Sequence, residues 1–578
     1  MDDLNQIFSS AYKDGKLLET IHEKARENWK NLDVLVADLI RLHNSKDINL
    51  IASFSTLKNE LNSGAEFFST RHILEKLLPE LDAPIAEVME CVINLVKEAG
   101  QDMAAGTLLP PFTDFCASNA SRPREAISLI ERLPEKYFDL LPQVIIAGAR
   151  LDVELYLDIA IRLAKSDDIE LRRRAAFSLG RTENLKENSL IEKAILCLEG
   201  TVQEETDDRL LGDVIDSVFN LWKQSKTYLE RITVIIDKAL LQGGDYTLHA
   251  GARLFGFNKE LPTSILDSLL THLLRIKPEN TGSLEYIDFG LASLIEQGNP
   301  KYLEFLENLL LSNPEKLSMS VFDSAMREFF KNQNNTLNRL MTRWFIKGDR
   351  VLCDGISEIT DLAHESNIQL AIESSDFDYS QSNLVIFLAR KAIGYLFSKL
   401  VTAASIVVSL MHYATGETMQ ILINLLFDFL LINYPGKIGE YLRKKIETET
   451  DEVKKSLETT IKLFDDYFEG IKSTGNIPEL YPSQSQRDTY NRRFSKIMEQ
   501  AMKDAQKDSV LLSLVSTSVL LYGRKSIDYV YTADGQSNRM EIPLQAHSTE
   551  IEFPRTTNID PFGLDYTLRV FRAERIKQ

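Results

Sequence analysis

Cysteine is scarce in this chain, because only four of the 578 residues are cysteines: Cys91, Cys116, Cys197 and Cys353. No two of them are close in sequence, so the spacings of a zinc ribbon or a Cys-x-x-Cys redox motif are missing. Each cysteine lies in an apolar stretch, which favours buried free thiols over disulfides. The pattern predicts a protein of a reducing compartment, the cytoplasm.

Long apolar runs are also missing. The most apolar region covers 384–433, but its run from Leu400 to Met411 is shorter than the roughly 18 residues that a membrane-spanning helix needs. The next run, 418–432, is interrupted by the charged Asp428. We expect buried core helices here and no membrane contact. The acidic first residues lack the basic and then apolar order of a secretory signal, so no signal peptide is expected.

Positive charge is in deficit. Lys and Arg number 66 against 85 Asp and Glu, which gives a formal net charge of −19. This balance disfavours a generic polyanion binder, and DNA or RNA binding would require a local basic patch. A basic or mixed protein partner suits the acidic balance better.

The motifs of common catalytic and cofactor sites are absent from the sequence. The eight histidines form no His-x-x-x-His pair, and none lies at metal-ligand spacing from a cysteine. Glycine-rich phosphate loops with a lysine and the Gly-x-Ser-x-Gly elbow are missing too. Asp376 and Asp378 lack the glycine and the spaced ligands of a calcium loop, so a solvated acidic loop is expected. We therefore predict no catalytic residues, no cofactor and no metal.

One segment stands out for what it contains: residues 167–181 read DDIELRRRAAFSLGR. Asp167 and Asp168 open the segment with side chains that can accept the unpaired N–H groups of a helix start. Gly180 closes it where helices often end in the left-handed conformation. Between them, apolar and small residues recur at helical spacing: Leu171, Ala175, Ala176 and Leu179. The pattern predicts a helix whose buried face lies close to a neighbouring helix.

This segment resembles the second helix of a HEAT-type repeat, of the variety first noted in phycobilisome lyases. Leu171 stands for the usual Val and Arg172 for the usual Arg of that motif. The residues that carry the match are Asp167, Leu171, Arg172, Ala175, Leu179 and Gly180. The resemblance implies an α-solenoid of stacked helical pairs.

Three consecutive arginines in this segment admit two interpretations. Residues 172–174 fan over about 200° of a helix, so they cannot all be buried. The resemblance implies that Arg172 bridges to the next repeat, with Asp207 or Asp208 as the acceptor. Arg173 and Arg174 would then face outward. A solvated face or intramolecular ion pairs is the favoured interpretation of these arginines, and contact with a partner or nucleic acid is the alternative.

Self-similarity extends the segment into an array. A shift of 40 residues aligns 167–181 with 207–221, and further steps of about 36 and 40 residues bring in 249–257 and 289–297. An irregular stretch at 373–383 and a proline-containing linker at 473–486 interrupt the helical pattern. The predicted regions are an N-terminal helical region (1–120), a HEAT-like array (121–372), an apolar helical region that continues the solenoid (384–472) and a C-terminal module (484–578).

The C-terminal module has a different pattern. We predict a long amphipathic helix at 484–508 and an apolar helix at 509–522. From 525 onward the apolar residues alternate around an Asp534-Gly535 turn, which predicts an antiparallel sheet of three or four strands. The third and fourth strands are expected near 551–553 and 564–570. The predicted fold class is therefore mainly α: an α-solenoid of HEAT-like helical pairs with a small antiparallel β-sheet at the C-terminus.

Basic residues are concentrated in this module. The candidate contacts are Arg487, Arg492, Arg493, Lys496, Arg524 and Lys525. Tyr490 and Phe494 interleave with them, a combination that suits phosphate contact and base stacking, or an acidic protein partner. The two aromatic residues also belong to an apolar stripe that is expected to pack on a neighbouring helix.

Two functions follow from these observations. The first is a non-catalytic interaction scaffold or adaptor of a cytosolic, bacterial multi-protein complex, of which a defence or stress system is one example. The alternative is a nucleic-acid-binding component that uses the basic C-terminal helix or a concave row of arginines. Nucleic-acid binding should weaken steeply as the salt concentration rises, which separates the two.

Overall fold

The structure is a computed structural model. It describes residues 2–27, 32–59, 64–182, 188–204, 206–331, 336–362, 368–373, 375, 381–475, 477, 482–507, 525–531, 537–543 and 552–576. These residues form a nearly all-helical, many-helix fold that is compatible with a helical-repeat solenoid. The chain divides into two compact units, 1–336 and 337–578. The four regions predicted from the sequence are not tested by this division and stay predictions.

The described residues of the first unit form α-helices and short 3-10 segments, joined by short turns. The helices are α1 Asp2–Lys13, α2 Leu17–Glu27, α3 Leu32–Asn44, α4 Leu50–Phe54, α5 Gly64–Leu77, α6 Ile85–Ala99, α7 Leu109–Ala117, α8 Ser121–Arg132, α9 Pro134–Tyr137, α10 Leu141–Leu151, α11 Val153–Leu163, α12 Ile169–Leu179, α13 Asn188–Glu204, α14 Asp208–Ser225, α15 Leu229–Gln242, α16 Asp245–Phe257, α17 Thr263–Leu273, α18 Thr281–Glu296, α19 Lys301–Ser312 and α20 Asp323–Lys331. The 3-10 segments are Leu78–Glu80, Met103–Leu108, Phe138–Leu140 and Met319–Val321.

The helices of this unit stack in two layers. In one layer α10, α12, α14, α16, α18 and α20 each pack on the next, and in the other α11, α13, α15 and α17 do the same. Helices α1 to α6 and α8 already follow this rule, because each packs on the helix two places further along the chain, whereas α7 packs on α10. A helical pair cannot bury its apolar face alone, so stacking supplies the continuous core.

The helix predicted from residues 167–181 is present as α12. Asp168 caps it, accepting hydrogen bonds from the backbone N–H groups of Glu170 at 2.8 Å and Leu171 at 3.1 Å. Asp207 caps α14 in the same way, through the N–H of Leu210 at 2.8 Å. The matched apolar positions of the two helices are all buried: Leu171, Ala175 and Leu179 in α12, and Leu211, Ile215 and Phe219 in α14. The 40-residue echo is therefore a repeat of structure as well as of sequence.

Gly180 ends α12 for a different reason from the predicted one. Its backbone is right-handed, with φ −74° and ψ −13°, so the expected left-handed conformation is wrong. A Cβ atom at this position would overlap the backbone of Ser217 in α14. Glycine is required here because α12 and α14 approach each other closely, and its conformational freedom is not used.

The second unit combines helices with a single hairpin among its described residues. Its elements are α21 Thr336–Lys347, α22 Arg350–Asp361, α23 Ser382–Leu396, α24 Leu400–Met411, α25 Gly416–Asn424, a π-helical segment Leu425–Leu431, α26 Pro435–Ile446, α27 Asp451–Ser473, α28 Gln484–Lys507, β1 Lys525–Tyr531, β2 Ser537–Pro543, α29 Thr556–Ile559 and α30 Pro561–Ala573. The strands are antiparallel, with Lys525 opposite Pro543 and Tyr531 opposite Ser537.

The apolar region of the sequence forms the core of this unit. In α24 every residue except Ser409 is buried, which confirms the prediction of core helices. Helix α23 packs on α24 and α25, and α24 packs on α26. Within the described part of the chain, no helix has both the length and the apolar character that crossing a bilayer requires.

The predicted sheet of three or four strands is wrong. Only the first two strands are present among the described residues, and 564–570 lies in α30. Asp560 caps that helix by accepting the N–H of Gly563 at 2.9 Å, and Pro561 occupies its first turn. The apparent alternation was misleading because Leu568 and Phe571 are buried at helical spacing, whereas Tyr566 and Val570 are exposed.

Several other predicted features lie outside the described residues. They are the apolar helix 509–522, the acidic loop residues Asp376 and Asp378, and the start of the third strand at Ile551. Phe553, from the same predicted strand, has irregular backbone and an exposed side chain.

Candidate functional site

Arg172 fastens the start of its own helix. Its guanidinium donates hydrogen bonds to the backbone carbonyls of Ser166 at 2.9 Å and Asp167 at 3.2 Å. Asp208, one of the two acceptors expected for it, accepts instead from the N-terminus of α16, including the N–H of Tyr246 at 2.8 Å.

Arg173 and Arg174 do not face outward as expected. The Arg173 side chain is 13% exposed and pairs with Glu170 at 3.0 Å and with Asp213 of α14 at 3.2 Å. Arg173 therefore reaches a carboxylate of the next repeat. Arg174 pairs with Asp139 at 2.5 Å. Both candidate contacts are thus engaged by carboxylates of the same chain.

The ion pairs continue along the same layer of helices. Arg253 of α16 pairs with Asp216 of α14, and Arg181 lies 3.4 Å from the ring centroid of Phe177. Burial raises the pKa of Asp213 to about 6, although the charge of Arg173 opposes this shift. Burial also raises the pKa of Asp216. We call Arg173, Arg253 and their carboxylate partners Asp213 and Asp216 the arginine ladder. Because each of these arginines is paired with a carboxylate, the ladder supplies little uncompensated positive charge.

Next to the ladder, aromatic side chains from α16 and α18 form a patch on the surface. We define the aromatic patch as His249, Phe257, Tyr286 and Phe289. The ring centroids of Phe257 and Tyr286 lie 5.0 Å apart in an edge arrangement, and those of His249 and Tyr286 lie 5.3 Å apart. Phe257 is 65% exposed and Phe289 is 38% exposed. Phe289 follows Tyr286 at i+3, the spacing of neighbours on one helix face.

Close helix packing holds the aromatic patch together. A Cβ atom at Gly256 would overlap the backbone of Tyr286, so glycine allows α16 to approach α18 where Phe257 follows. His249 is fixed by a 2.9 Å hydrogen bond between its Nδ1 and the Ser283 hydroxyl. Burial, with help from the Arg253 charge, lowers the pKa of His249, so the imidazole is neutral at pH 7. The sequence does not reveal this patch, because Phe257 and Phe289 fit a helical apolar pattern and nothing in that pattern indicates that they are exposed.

The basic helix α28 carries the other candidate contacts. Arg487, Arg492, Arg493 and Lys496 are all exposed on it. Lys525 is the first residue of β1, and Arg524 lies outside the described residues.

The aromatic residues of α28 are not packed away as the sequence pattern suggested. Tyr490 is 53% exposed and Phe494 is 39% exposed, and their rings are nearly parallel with centroids 6.3 Å apart. Phe494 also meets Phe553 edge-on at 5.7 Å. Arginines and accessible aromatic faces thus occur together on this helix.

The four cysteines are free thiols, as predicted. Burial raises the pKa of Cys91 and Cys197 to about 11 and that of Cys116 and Cys353 to about 12. All four are protonated at neutral pH and are weak nucleophiles in that form. Among the described residues, no group of three His, Cys, Asp or Glu side chains is placed to hold a metal ion.

Comparisons with known proteins assign no family. No family model matches the chain, and no curated protein matches it. Solved structures give weak likenesses. One is described as "Crystal Structure of Engineered Protein" and is 14% identical over 80% of this chain and 98% of that chain, with a TM-score of 0.18. Another, described as "A conserved phosphorylation switch controls the interaction between cadherin and beta-catenin in vitro and in vivo", is 11% identical over 80% of this chain and 98% of that chain, with a TM-score of 0.21. At these scores neither likeness bears on fold or function.

Proposed function

We propose that this protein is a non-catalytic interaction scaffold built from HEAT-type helical repeats, and that it acts in the cytoplasm. Stacked helical pairs offer a long continuous surface and no built-in chemistry. The four thiols are free and three of them are buried, which suits a reducing compartment. Membership of a bacterial defence or stress complex stays a prediction from composition.

The observation that carries the proposal is the aromatic patch. Phe257 places most of its ring in water at 65% exposure, beside Tyr286 and the partly exposed Phe289. Clustered aromatic side chains on a rigid support are typical of the centre of a protein interface, where a few such residues supply most of the affinity. Because Arg173 and Arg174 are held in ion pairs, the aromatic patch is a better contact surface in this unit than these two arginines.

The partner that suits the patch is a basic protein segment. The chain carries a formal net charge of −19, which attracts a basic partner over a distance. The faces of Phe257, Tyr286 and Phe289 can each accept a lysine or arginine side chain through a cation–π contact. Glu285, exposed beside Tyr286, adds negative charge at the edge of the patch.

Site-specific photo-crosslinking tests this proposal in cells that make the protein. With a benzophenone amino acid at Phe257, we expect a discrete adduct with a basic protein, identified by mass spectrometry. The same amino acid at Met103, which is fully exposed elsewhere in this unit, is the control and should not give that adduct. Equal adducts from both positions, or an acidic partner, would contradict the proposal.

A matched pair of variants then measures the energetic role of the patch. The double variant Phe257→Ala, Phe289→Ala should weaken binding of the crosslinked partner by about 30-fold or more, because truncation of one hot-spot aromatic costs about 2 kcal/mol. Leu241→Ala removes a side chain of similar exposure, 63%, from α15 and should leave the affinity unchanged. Thermal melting of each variant checks that the fold is intact.

Nucleic-acid binding by α28 is the second candidate function. It is favoured by the exposed Arg492 and Arg493 beside the stacked rings of Tyr490 and Phe494. Fluorescence anisotropy with a labelled single strand of about 20 nucleotides tests it across a range of salt concentrations. If α28 binds the strand, the logarithm of affinity should fall linearly with the logarithm of salt, and Arg492→Gln, Arg493→Gln should reduce that slope by about 1.4.

The control for this measurement is Lys455→Gln, Lys472→Gln, which removes two exposed cations from the neighbouring helix α27. If this pair reduced the slope equally, the strand would be binding to exposed cations in general and not to α28 in particular. Absence of binding at low salt would reject the second function and leave the scaffold proposal untouched.

A further inference from the structure

The C-terminal helix α30 is anchored on α23 of the second unit. Lys391 of α23 is fully buried, and its Nζ donates a 2.5 Å hydrogen bond to the backbone carbonyl of Arg572. Arg390 pairs with Glu574 at 2.9 Å, just beyond the end of α30. Phe571 is buried and meets the ring of Phe429 edge-on at 5.1 Å. These contacts hold the last turn of α30 in a defined position.

This docking gathers arginines around an open cavity of about 560 Å³. Helix α22 contributes Arg350, α30 contributes Arg569 and Arg572, and Arg575 follows two residues after α30 ends. Tyr395 of α23 also lines the cavity. Four guanidinium groups from three parts of the chain thus surround one space.

The carboxylates of the cavity neutralise only part of this charge. Asp354 lies 3.4 Å from Arg350, and Asp565 lies 2.8 Å from Arg569, each within one turn of its own helix. Both arginine side chains remain largely exposed, at 85% and 73%. Exposed helical pairs of this kind are weak and can be displaced by a stronger anion.

Among the described residues, the other two arginines have no carboxylate partner. Arg572 donates its Nε to the carbonyl of Gly394 at 2.5 Å, which fixes the plane of its guanidinium. Neither Arg572 nor Arg575 forms an ion pair with any residue that the structure describes. With four arginines and two aspartates, the cavity has a formal charge of +2 in a chain of −19.

We propose that this arginine cavity binds a small molecule that carries two adjoining phosphate groups. Guanidinium groups bind phosphate oxygens in a bidentate manner, and several of them around one space match a diphosphate better than a single phosphate. A cavity of this volume falls within the range of small-molecule sites. Nucleoside diphosphates and inorganic pyrophosphate both supply the required chemistry. The inference does not rest on the proposed scaffold function, which concerns the first unit.

Isothermal titration calorimetry on the full chain, in a phosphate-free buffer of fixed ionic strength, tests the site. We expect saturable binding of one pyrophosphate per chain, and about 10-fold weaker binding of inorganic phosphate. ADP is the second diphosphate probe. Tighter binding of ADP than of pyrophosphate would identify a nucleotide as the ligand, and the reverse order would identify the inorganic ion. Absence of saturable binding of either diphosphate, or equal binding of phosphate and pyrophosphate, would overturn the proposal.

Three variants make the test specific to the cavity. Arg569→Gln, Arg575→Gln should weaken pyrophosphate binding by about 10-fold or more, because two phosphate contacts are lost. The control Lys444→Gln removes an exposed cation that pairs with Glu440 within one turn of α26, and it should leave the affinity within about two-fold. Asp354→Asn removes a negative charge from the cavity and should tighten binding by about two- to five-fold. Unchanged affinity in both cavity variants would overturn the assignment. The tighter binding expected for Asp354→Asn cannot be produced by a loss of folding.

Discussion

Alanine at Gly180 should lower the free energy of unfolding of the first unit by about 3 kcal/mol. The reason is steric: the new Cβ would overlap the backbone of Ser217, and a backbone cannot rotate away as a side chain can. Relief requires α12 and α14 to separate, which opens the core around Ala175 and Ala176, both fully buried. Urea denaturation followed by far-ultraviolet circular dichroism measures the loss.

The matched control is Gly200→Ala in α13, since the same chemical change there should have the opposite sign. A Cβ at Gly200 meets nothing within 4 Å, so no packing is disturbed. Alanine in a helix is favoured over glycine by about 0.5–1 kcal/mol, and the variant should be slightly more stable than the parent chain. Hydrogen exchange should show faster opening of α12 and α14 in Gly180→Ala alone. Equal stability of the two variants would contradict the close approach at Gly180.

The same glycine shows how far the sequence can predict this fold. The apolar spacing of 167–181 and the capping Asp168 correctly predicted a helix and its echo 40 residues later, because both signals are local. The role of Gly180 was predicted wrongly, since its requirement comes from Ser217, which lies in another helix. Distances between helices depend on how the repeats stack, and the apolar pattern of a single helix does not predict them.

The arginine ladder was only half predictable for the same reason. The resemblance implied that an arginine of this segment reaches the next repeat, and it gave that role to Arg172 without indicating Arg173. The structure gives Arg173 the carboxylate of the next helix, Asp213, and turns Arg172 back to the loop before α12. A shift of one residue rotates a side chain by about 100° around the helix, so small differences in stacking decide which arginine bridges.

The arginine cavity was not predicted from the sequence, because residues 564–570 were expected to form a strand and not part of a helix. The predicted strand ended at 570, so it included Arg569 but not Arg572 and gave no reason to place the two side chains together. In helix α30 their i, i+3 spacing places them on one face, where they meet Arg350 and Arg575. Asp560 and Pro561 are helix-start signals that outweigh the apolar alternation after them.

A second large loss of stability is expected for Asp208→Ala, about 2–3 kcal/mol. Asp208 is the first residue of α14, but its carboxylate caps α16. It accepts hydrogen bonds from the N–H groups of Gly244 at 2.6 Å, Tyr246 at 2.8 Å and Thr247 at 3.1 Å, and from the Thr247 hydroxyl at 2.6 Å. Its removal leaves unpaired donors at a helix start, where water replaces only part of the lost bonding. Asp245→Ala breaks a half-exposed ion pair with Lys277 and serves as the control, with an expected loss of about 0.5 kcal/mol.

Asp288 indicates that this cap belongs to the repeat. From α18 it accepts the N–H groups of Ser324 at 2.9 Å and Ala325 at 2.8 Å, at the start of α20, as Asp208 does from α14 to α16. In both cases an aspartate of one helix caps the N-terminus of the helix two places later in the chain, and this contact fixes the relative position of the two helices. The Asp208→Ala variant should therefore speed hydrogen exchange in α16 more than in α12.

The effect of Asp208→Ala should also depend on pH. Burial opposes ionisation of Asp208, but hydrogen bonds from Thr247, Tyr246 and Gly244 outweigh it and lower the pKa below its usual value. An acid with a lowered pKa in the folded state stabilises the fold fully above the pKa of the unfolded chain, about 3.9, and loses that contribution as the pH falls through the folded value. The difference in unfolding free energy between the parent chain and Asp208→Ala should be full at pH 7 and should shrink below about pH 4. A difference that stays constant from pH 7 to pH 2 would mean that the ionised carboxylate is not what holds α16 to α14.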